Sequence, residues 1–472
     1  MAKRIAVALA IVLIVGVGLF VWMRGDLLRN DETGGMIGQE PQAVTQAAAP
    51  GQNQQRQVPA QEGEADGGKG AESIPLEMLD GALESATAQI EVPEGIQSSQ
   101  IPEDNGLHWF LIAVEQMPKL DDWYDEVRDD YIDNGWRDDA RMIEILDRCQ
   151  ASFEAIRKGI EVGNVDFPPA GLDEPLPYLA KWRELTRLMT IQGMMYSSRG
   201  DYDAALDQLT AVVDFGSESS RGGFLITHLV GNAMQGIGAR QLCKVLQAPG
   251  LSAEQCRAVA AHLDALEPKV PRMADAIRAE ADSLEVWFQR RSSSPDFYND
   301  FLEIFVPAAG ESGKAFAESA TPEQCRELYE QMVVATRQAA PLFEAPVYEF
   351  DDAAFQALIA GNILSERIME AYLRMPKAEA LSRVVRTGTS LVAAIEAYRH
   401  EEGAYPQTLQ SLVPSVLPEL PSDPFTGQPF RYARQSGAYR LYSAGINMRD
   451  DGGTGKGWDT RQDDYILVGG AK

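Results

Sequence analysis

The sequence predicts a mainly α-helical body followed by a small α+β module, the two carried by a single apolar N-terminal segment. Three observations predict it: an uninterrupted apolar run at Ile5–Met23, apolar residues at helical spacing from Asn105 to about Met375, and a change of texture at Ala378. Beyond Ala378 one long amphipathic stretch gives way to a turn-rich segment with alternating apolar residues.

The run Ile5–Met23 contains no charge and no proline. At ~1.5 Å rise per residue a helix of this length crosses a hydrocarbon core of about 30 Å. It ends in Phe20-Val21-Trp22-Met23-Arg24 rather than in a small-residue cleavage site, so an uncleaved membrane anchor is expected over residues 1–29. Lys3 and Arg4 precede the run, whereas Arg24 and Arg29 are diluted by Asp26, Asp31 and Glu32. That bias predicts a single-pass protein of the bacterial inner (cytoplasmic) membrane with its body in the periplasm or otherwise outside the cytoplasm. Residues 30–73 are rich in Gln, Gly, Ala, Pro and Glu and have no aromatic residue, the composition of a disordered tether.

A formal net charge of −28 and a pI near 4.6 argue against nucleic acid and anionic membrane surfaces as partners. The expected partners are therefore the membrane, through the N-terminal helix, and another protein. Four Cys without a C-x-x-C exclude a disulfide-framework domain and a zinc ribbon. Cys243 and Cys256 flank the turn-like Ala248-Pro249-Gly250, and the sequence leaves open whether they bond or remain buried thiols.

Residues 74–377 read as an α-helical bundle or solenoid-like domain. Within Arg183–Gly216, Gly193, Tyr196, Gly200, Tyr202, Ala205, Leu209 and Val212 stand at positions where small residues let two antiparallel helices approach. The stretch resembles a single tetratricopeptide unit. Further helices are expected over 222–246, from about Ser252, and over 272–291, 322–339 and 353–373. The acidic run Asp121–Asp139 interleaves Trp123, Tyr124, Val127, Tyr131 and Trp136 with carboxylates, as a helix with an aromatic core face and an acidic solvent face would. Paired carboxylates with aromatics also line glycosidase clefts, which keeps an exported hydrolase with an acidic site in the helical body as an alternative.

In residues 378–472, Leu381, Val384, Val385, Leu391, Val392, Ile395 and Tyr398 recur at three- and four-residue steps, and Gly403 provides a C-terminal cap. Pro429–Ala433 and Tyr439–Ser443 alternate as a β-hairpin does, and Tyr465–Val468 adds a third short strand. The order of this helix, Gly403-Ala404-Tyr405-Pro406, Leu420-Pro421-Ser422-Asp423-Pro424-Phe425 and Tyr442-Ser443-Ala444-Gly445 resembles the soluble domain of type II secretion major pseudopilins. In that family the last loop holds calcium. The resemblance implies Ca2+ here, with Asn447, one or both of Asp450 and Asp451, and Asp463 with Asp464 as ligands, a donor set suited to a hard cation. The family's membrane segment is continuous with its helix, whereas a long body intervenes here, so a cap or interaction module is expected rather than a filament subunit.

No catalytic constellation is legible. His108, His228, His262 and His400 lack metal-ligand spacing, and Gly452–Gly457 lacks the leading Gly and the Ser or Thr of a phosphate loop. The expectation is a non-catalytic envelope scaffold or binding protein with a calcium-stabilised module. An accessory component of a type II secretion or pilus-like system is a further alternative.

Overall fold

The computed structural model describes residues 95–169, 171, 176–308, 310–454 and 464–469. The expected anchor and tether lie outside the described residues, as does Asp463. Among the described residues no helix is long and apolar enough to cross a membrane.

The body is helical because its capping residues stand where the apolar periods begin. Helix α1 (Gly106–Glu115) starts where Asn105 Oδ1 accepts from Leu107 N. Helix α2 (Asp122–Asn134) starts at Asp121, and α3 (Ala140–Arg148) at Asp139, each carboxylate accepting a first-turn N–H. Helix α4 (Gln150–Val162) follows, then the hairpin of α5 (Tyr178–Ser198) and α6 (Tyr202–Ser219). The hairpin turns at Gly200, whose φ is +78°, and the backbones close up because a Cβ on Gly193 would sit 2.7 Å from Leu209 Cγ. Helices α7 (Leu225–Leu246), α8 (Ala253–Leu266) and α9 (Met273–Arg291) come next, α8 opened by a Ser252–Gln255 capping box. Then follow α10 (Phe297–Ala308), α11 (Gly310–Ala317) and α12 (Pro322–Ala339), the last capped by Thr321 and Gln324.

One expectation needs correction. The single helix expected over 353–373 is α13 (Asp352–Ile359), α14 (Ile363–Ile368) and a 3-10 turn, Met369–Arg374. Gly361 with φ +83° breaks the run, and Asn362 restarts it by accepting from Leu364 N and Ser365 N.

Helix α15 (Met375–Glu402) ends at Gly403 in the left-handed conformation, φ +71°. The chain then forms β1 (Arg431–Gln435), β2 (Ala438–Ser443) and β3 (Tyr465–Gly469), an antiparallel sheet in that order. Tyr432 pairs with Leu441 and Tyr442 with Ile466.

Ala378, where the texture of the sequence changes, lies in the first turn of α15, and the module shares a core with the body. Val384, Leu391, Val392 and Ile395 of α15, with Leu441 and Leu467 of the sheet, pack with Leu209 and Leu242 of α6 and α7 and with Leu263 of α8. Successive residues tie α15 to two helices: Thr389 Oγ1 donates to Ala239 O of α7 at 3.5 Å, and Ser390 Oγ to Ala260 O of α8 at 3.2 Å. A second core joins α1–α7 around Phe110, Trp182 and Phe215, and an aromatic one gathers Trp287, Phe297, Phe305 and Tyr329. Cys149, Cys243, Cys256 and Cys325 are buried free thiols.

Candidate functional site

The acidic loop after β2 brings some of the expected calcium ligands close together, but each described one already has a protein partner. Asp450 Oδ2 accepts from Arg431 Nε at 2.8 Å, and Oδ1 from Tyr442 OH at 3.1 Å and Gly452 N at 3.0 Å. The Arg431 hydrogen bond holds the Asp450 carboxyl below its ordinary range. Asp464 is buried and accepts from Asp451 N and, at 2.7 Å, from Gly453 N; burial nonetheless raises its pKa. Asn447 Nδ2 donates to Asp451 Oδ2 at 2.7 Å, and Asn447 Oδ1 accepts from Arg449 N.

The loop is described only to residue 454 and again from residue 464, so the structure places part of the expected ligand set. A calcium ligand set must turn six to eight oxygens towards one point. Here Asp464 spends both oxygens on backbone N–H groups and Asp450 faces a guanidinium. Among the described residues no three His, Cys, Asp or Glu side chains gather as a cation site. Asp463 lies outside the described residues.

Two of the module's sequence motifs, Ser422–Phe425 and Ser443–Gly445, meet in a hydrogen-bonded knot centred on Asp423, which is 1% exposed. Its Oδ1 accepts from Ser443 Oγ at 2.8 Å and from Phe425 N, its Oδ2 from Ala444 N at 2.9 Å, and its backbone carbonyl from Gly427 N. A buried carboxylate with this many donors is satisfied where it stands, so Asp423 fastens the Pro424 turn to the end of β2.

The aromatic and acidic run forms α2 only as far as Asn134: Gly135, φ +90°, ends the helix, so Trp136 lies beyond the helix expected to carry it. Tyr124 and Tyr131 are buried while Asp122, Asp125 and Glu126 are exposed. Tyr124 OH donates to Glu184 at 2.6 Å. His108 Nδ1 lies 2.9 Å from the carbonyls of Ser98 and Ile101, a core contact.

A groove that sequence reading did not single out runs along α6 between α4 and α8, with a volume of about 430 Å³. Its floor is apolar, formed by Leu206, Ala211 and Val259 beside Ile160. Its rim is polar. Arg157 of α4 reaches Asp207 at 2.8 Å and also donates to Gln208 Oε1. Gln255 of α8 donates to Asp203 at 2.5 Å, and His262 Nε2 lies 2.8 Å from Asp214 Oδ1. That hydrogen bond raises the His262 pKa against the opposing effect of burial. The one sequence signal of the groove was the spacing of Asp203, Asp207, Thr210 and Asp214, which puts all four on one helix face. Acidic residues on a helix face ordinarily mean only solvation, so the stripe did not stand out. No family model, curated protein or solved structure matches the chain.

Proposed function

We propose that the protein is a non-catalytic scaffold of the bacterial envelope, anchored by Ile5–Met23, that holds a segment of a partner protein in the groove between α4, α6 and α8. The observation that carries this reading is the groove itself: an open channel whose apolar floor is rimmed by charged side chains already held in place by Arg157, Gln255 and His262. An apolar strip with an ordered polar rim is the anatomy of a protein-recognition surface. The pseudopilin-like reading of the C-terminal module is supported by its helix, its antiparallel three-stranded sheet and the Asp423 knot. In this chain the module serves the body as an internal brace, since α15 fills the space beside α7 and α8.

A photo-crosslinking side chain at Ala258, on the groove wall, tests the proposal in intact cells. Crosslinks to a protein from position 258, and none from the exposed Val334 of α12, are expected. Equal crosslinking from both positions, or none from 258, would sink it.

A further inference from the structure

The charge pattern of the same groove names the chemistry of what it holds; the inference rests on the groove being the partner site. Asp203, Asp207, Thr210 and Asp214 follow one another at steps of four, three and four residues along α6. At 1.5 Å per residue the stripe runs roughly 16 Å, the span of about five residues of extended chain. Glu161 adds a carboxylate from the α4 wall, which Lys158 Nζ answers at 2.9 Å. Against these carboxylates the lining sets Arg157 and His262, while Asp203 is met by the neutral amide of Gln255. Four carboxylates thus meet two fixed cations, Arg157 and Lys158, and one imidazole, which leaves the groove net negative over its apolar floor, with Asp203 the carboxylate met by a neutral group.

We infer that its occupant is a cationic protein segment, with Lys or Arg at intervals and small apolar residues between them. Each cation would meet the carboxylate stripe while the apolar residues cover Leu206, Ala211 and Val259. Complementary rim charge supplies on-rate and register, and the floor supplies the buried area. The chain carries a basic element of its own, the β1–β2 hairpin with exposed Arg434, but a net charge of −28 opposes association of two copies. A separate partner is thus favoured.

The experiment titrates the full-length chain with fluorescein-labelled decapeptides of alternating Lys and Ala, Gln and Ala, or Glu and Ala, read by anisotropy. The Lys peptide should bind about tenfold or more tighter than the Gln peptide. The pair Asp203→Asn and Asp207→Asn, and separately the groove-filling Ala258→Trp, should each weaken it about tenfold. All three positions are exposed, so the fold survives these changes. Because an acidic chain attracts any polycation, a control removes two exposed carboxylates elsewhere, Asp122→Asn with Glu126→Gln, and should change nothing. Equal loss in the control would overturn the inference as bulk charge attraction. If the Gln or Glu peptide binds as well as the Lys peptide and Ala258→Trp still blocks it, the cationic chemistry is wrong while the groove reading stands. If Ala258→Trp leaves every peptide unaffected, the groove reading itself falls. Concentration-dependent self-association abolished by both Ala258→Trp and Arg434→Glu would make a second copy the occupant and overturn the inference.

Discussion

Arg386 Nε lies 2.9 Å from Glu267 Oε2, so a helix near the end of the chain grips the turn that closes α8. The same carboxylate receives Arg383 Nε at 2.8 Å, and Arg386 also donates to Gln235 of α7 and to Ser382. The Arg386 side chain is 4% exposed and that of Glu267 19%. Burial pushes the Glu267 pKa up, but the guanidiniums of Arg386 and Arg383 outweigh it and hold the carboxyl below its ordinary value. A depressed carboxyl pKa contributes stability that is present above the unfolded value near 4.5 and is lost as pH falls through the folded one. Glu267→Gln leaves Arg386 buried without its counter-charge, and should cost about 3 kcal/mol at neutral pH. Urea unfolding of parent and variant at pH 7 and pH 4 measures it, and the gap between them should narrow at the lower pH.

Gly388 of α15 lets β3 approach, because a Cβ there would overlap the Leu467 side chain. Gly388→Val should therefore loosen the sheet from the helix, at about 1–3 kcal/mol for an overpacked core. Limited proteolysis should then cut between β2 and β3 sooner than in the parent. Unchanged melting and unchanged cleavage would show that Leu467 moves aside at no cost.

Much of this architecture was legible in the sequence. Ser252 and Pro322 as helix starts, Gly403 as a helix end and the hairpin at 429–443 are local signals, and local signals survive into the fold. The break at Gly361 was missed because apolar spacing continues through it, and periodicity does not register a single left-handed residue. The burial of α15 was missed for another reason. Its stretch 386–390, Arg386-Thr387-Gly388-Thr389-Ser390, reads as a polar interruption, yet each of these side chains or its absence meets a specific neighbour. The acidic loop is legible by residue type alone, whereas its partner Arg431 comes from β1, far back in the chain, and meets Asp450 only in the fold.

Two buried groups should act against each other across mildly acidic pH. Burial, then the charge of Arg386, lowers His228 from 6.5 to about 4. Burial raises Glu280, which accepts from Leu225 N at the start of α7, from 4.5 to about 7. The depressed His makes stability rise with pH between about 4 and 6.5, since the unfolded chain binds the extra proton there. The raised Glu does the reverse between 4.5 and about 7. In the parent the two slopes largely cancel from pH 4.5 to 6.5. Relative to the parent, Glu280→Gln should add an upward slope of up to about 1.4 kcal/mol per pH unit over that window, and His228→Leu a downward one. Denaturant midpoints taken across the window decide; parallel profiles for all three proteins would refute the assignment.

The described part of the loop beyond β2 is tied by protein hydrogen bonds through Asp450 and Asp464. Melting of the full chain is expected to be the same with calcium and with a chelator, and Asp450→Asn should lower it by only about 1 kcal/mol because the pair with Arg431 is partly exposed. A calcium-dependent rise in Tm would return the ion to the loop and place its remaining ligands among residues 455–463.

Thr389 and Ser390 reach α7 and α8 across more than a hundred residues of chain, and Cys243 lies 3.8 Å from the Leu467 carbonyl. A growing polypeptide emerges from its N-terminal end, so α6, α7 and α8 are made long before the helix that seals them. Until synthesis reaches residue 469 the nascent body carries an open hydrophobic seam, which calls for a chaperone to shield it. A message truncated after α14 would then yield a product for proteases rather than a smaller working domain.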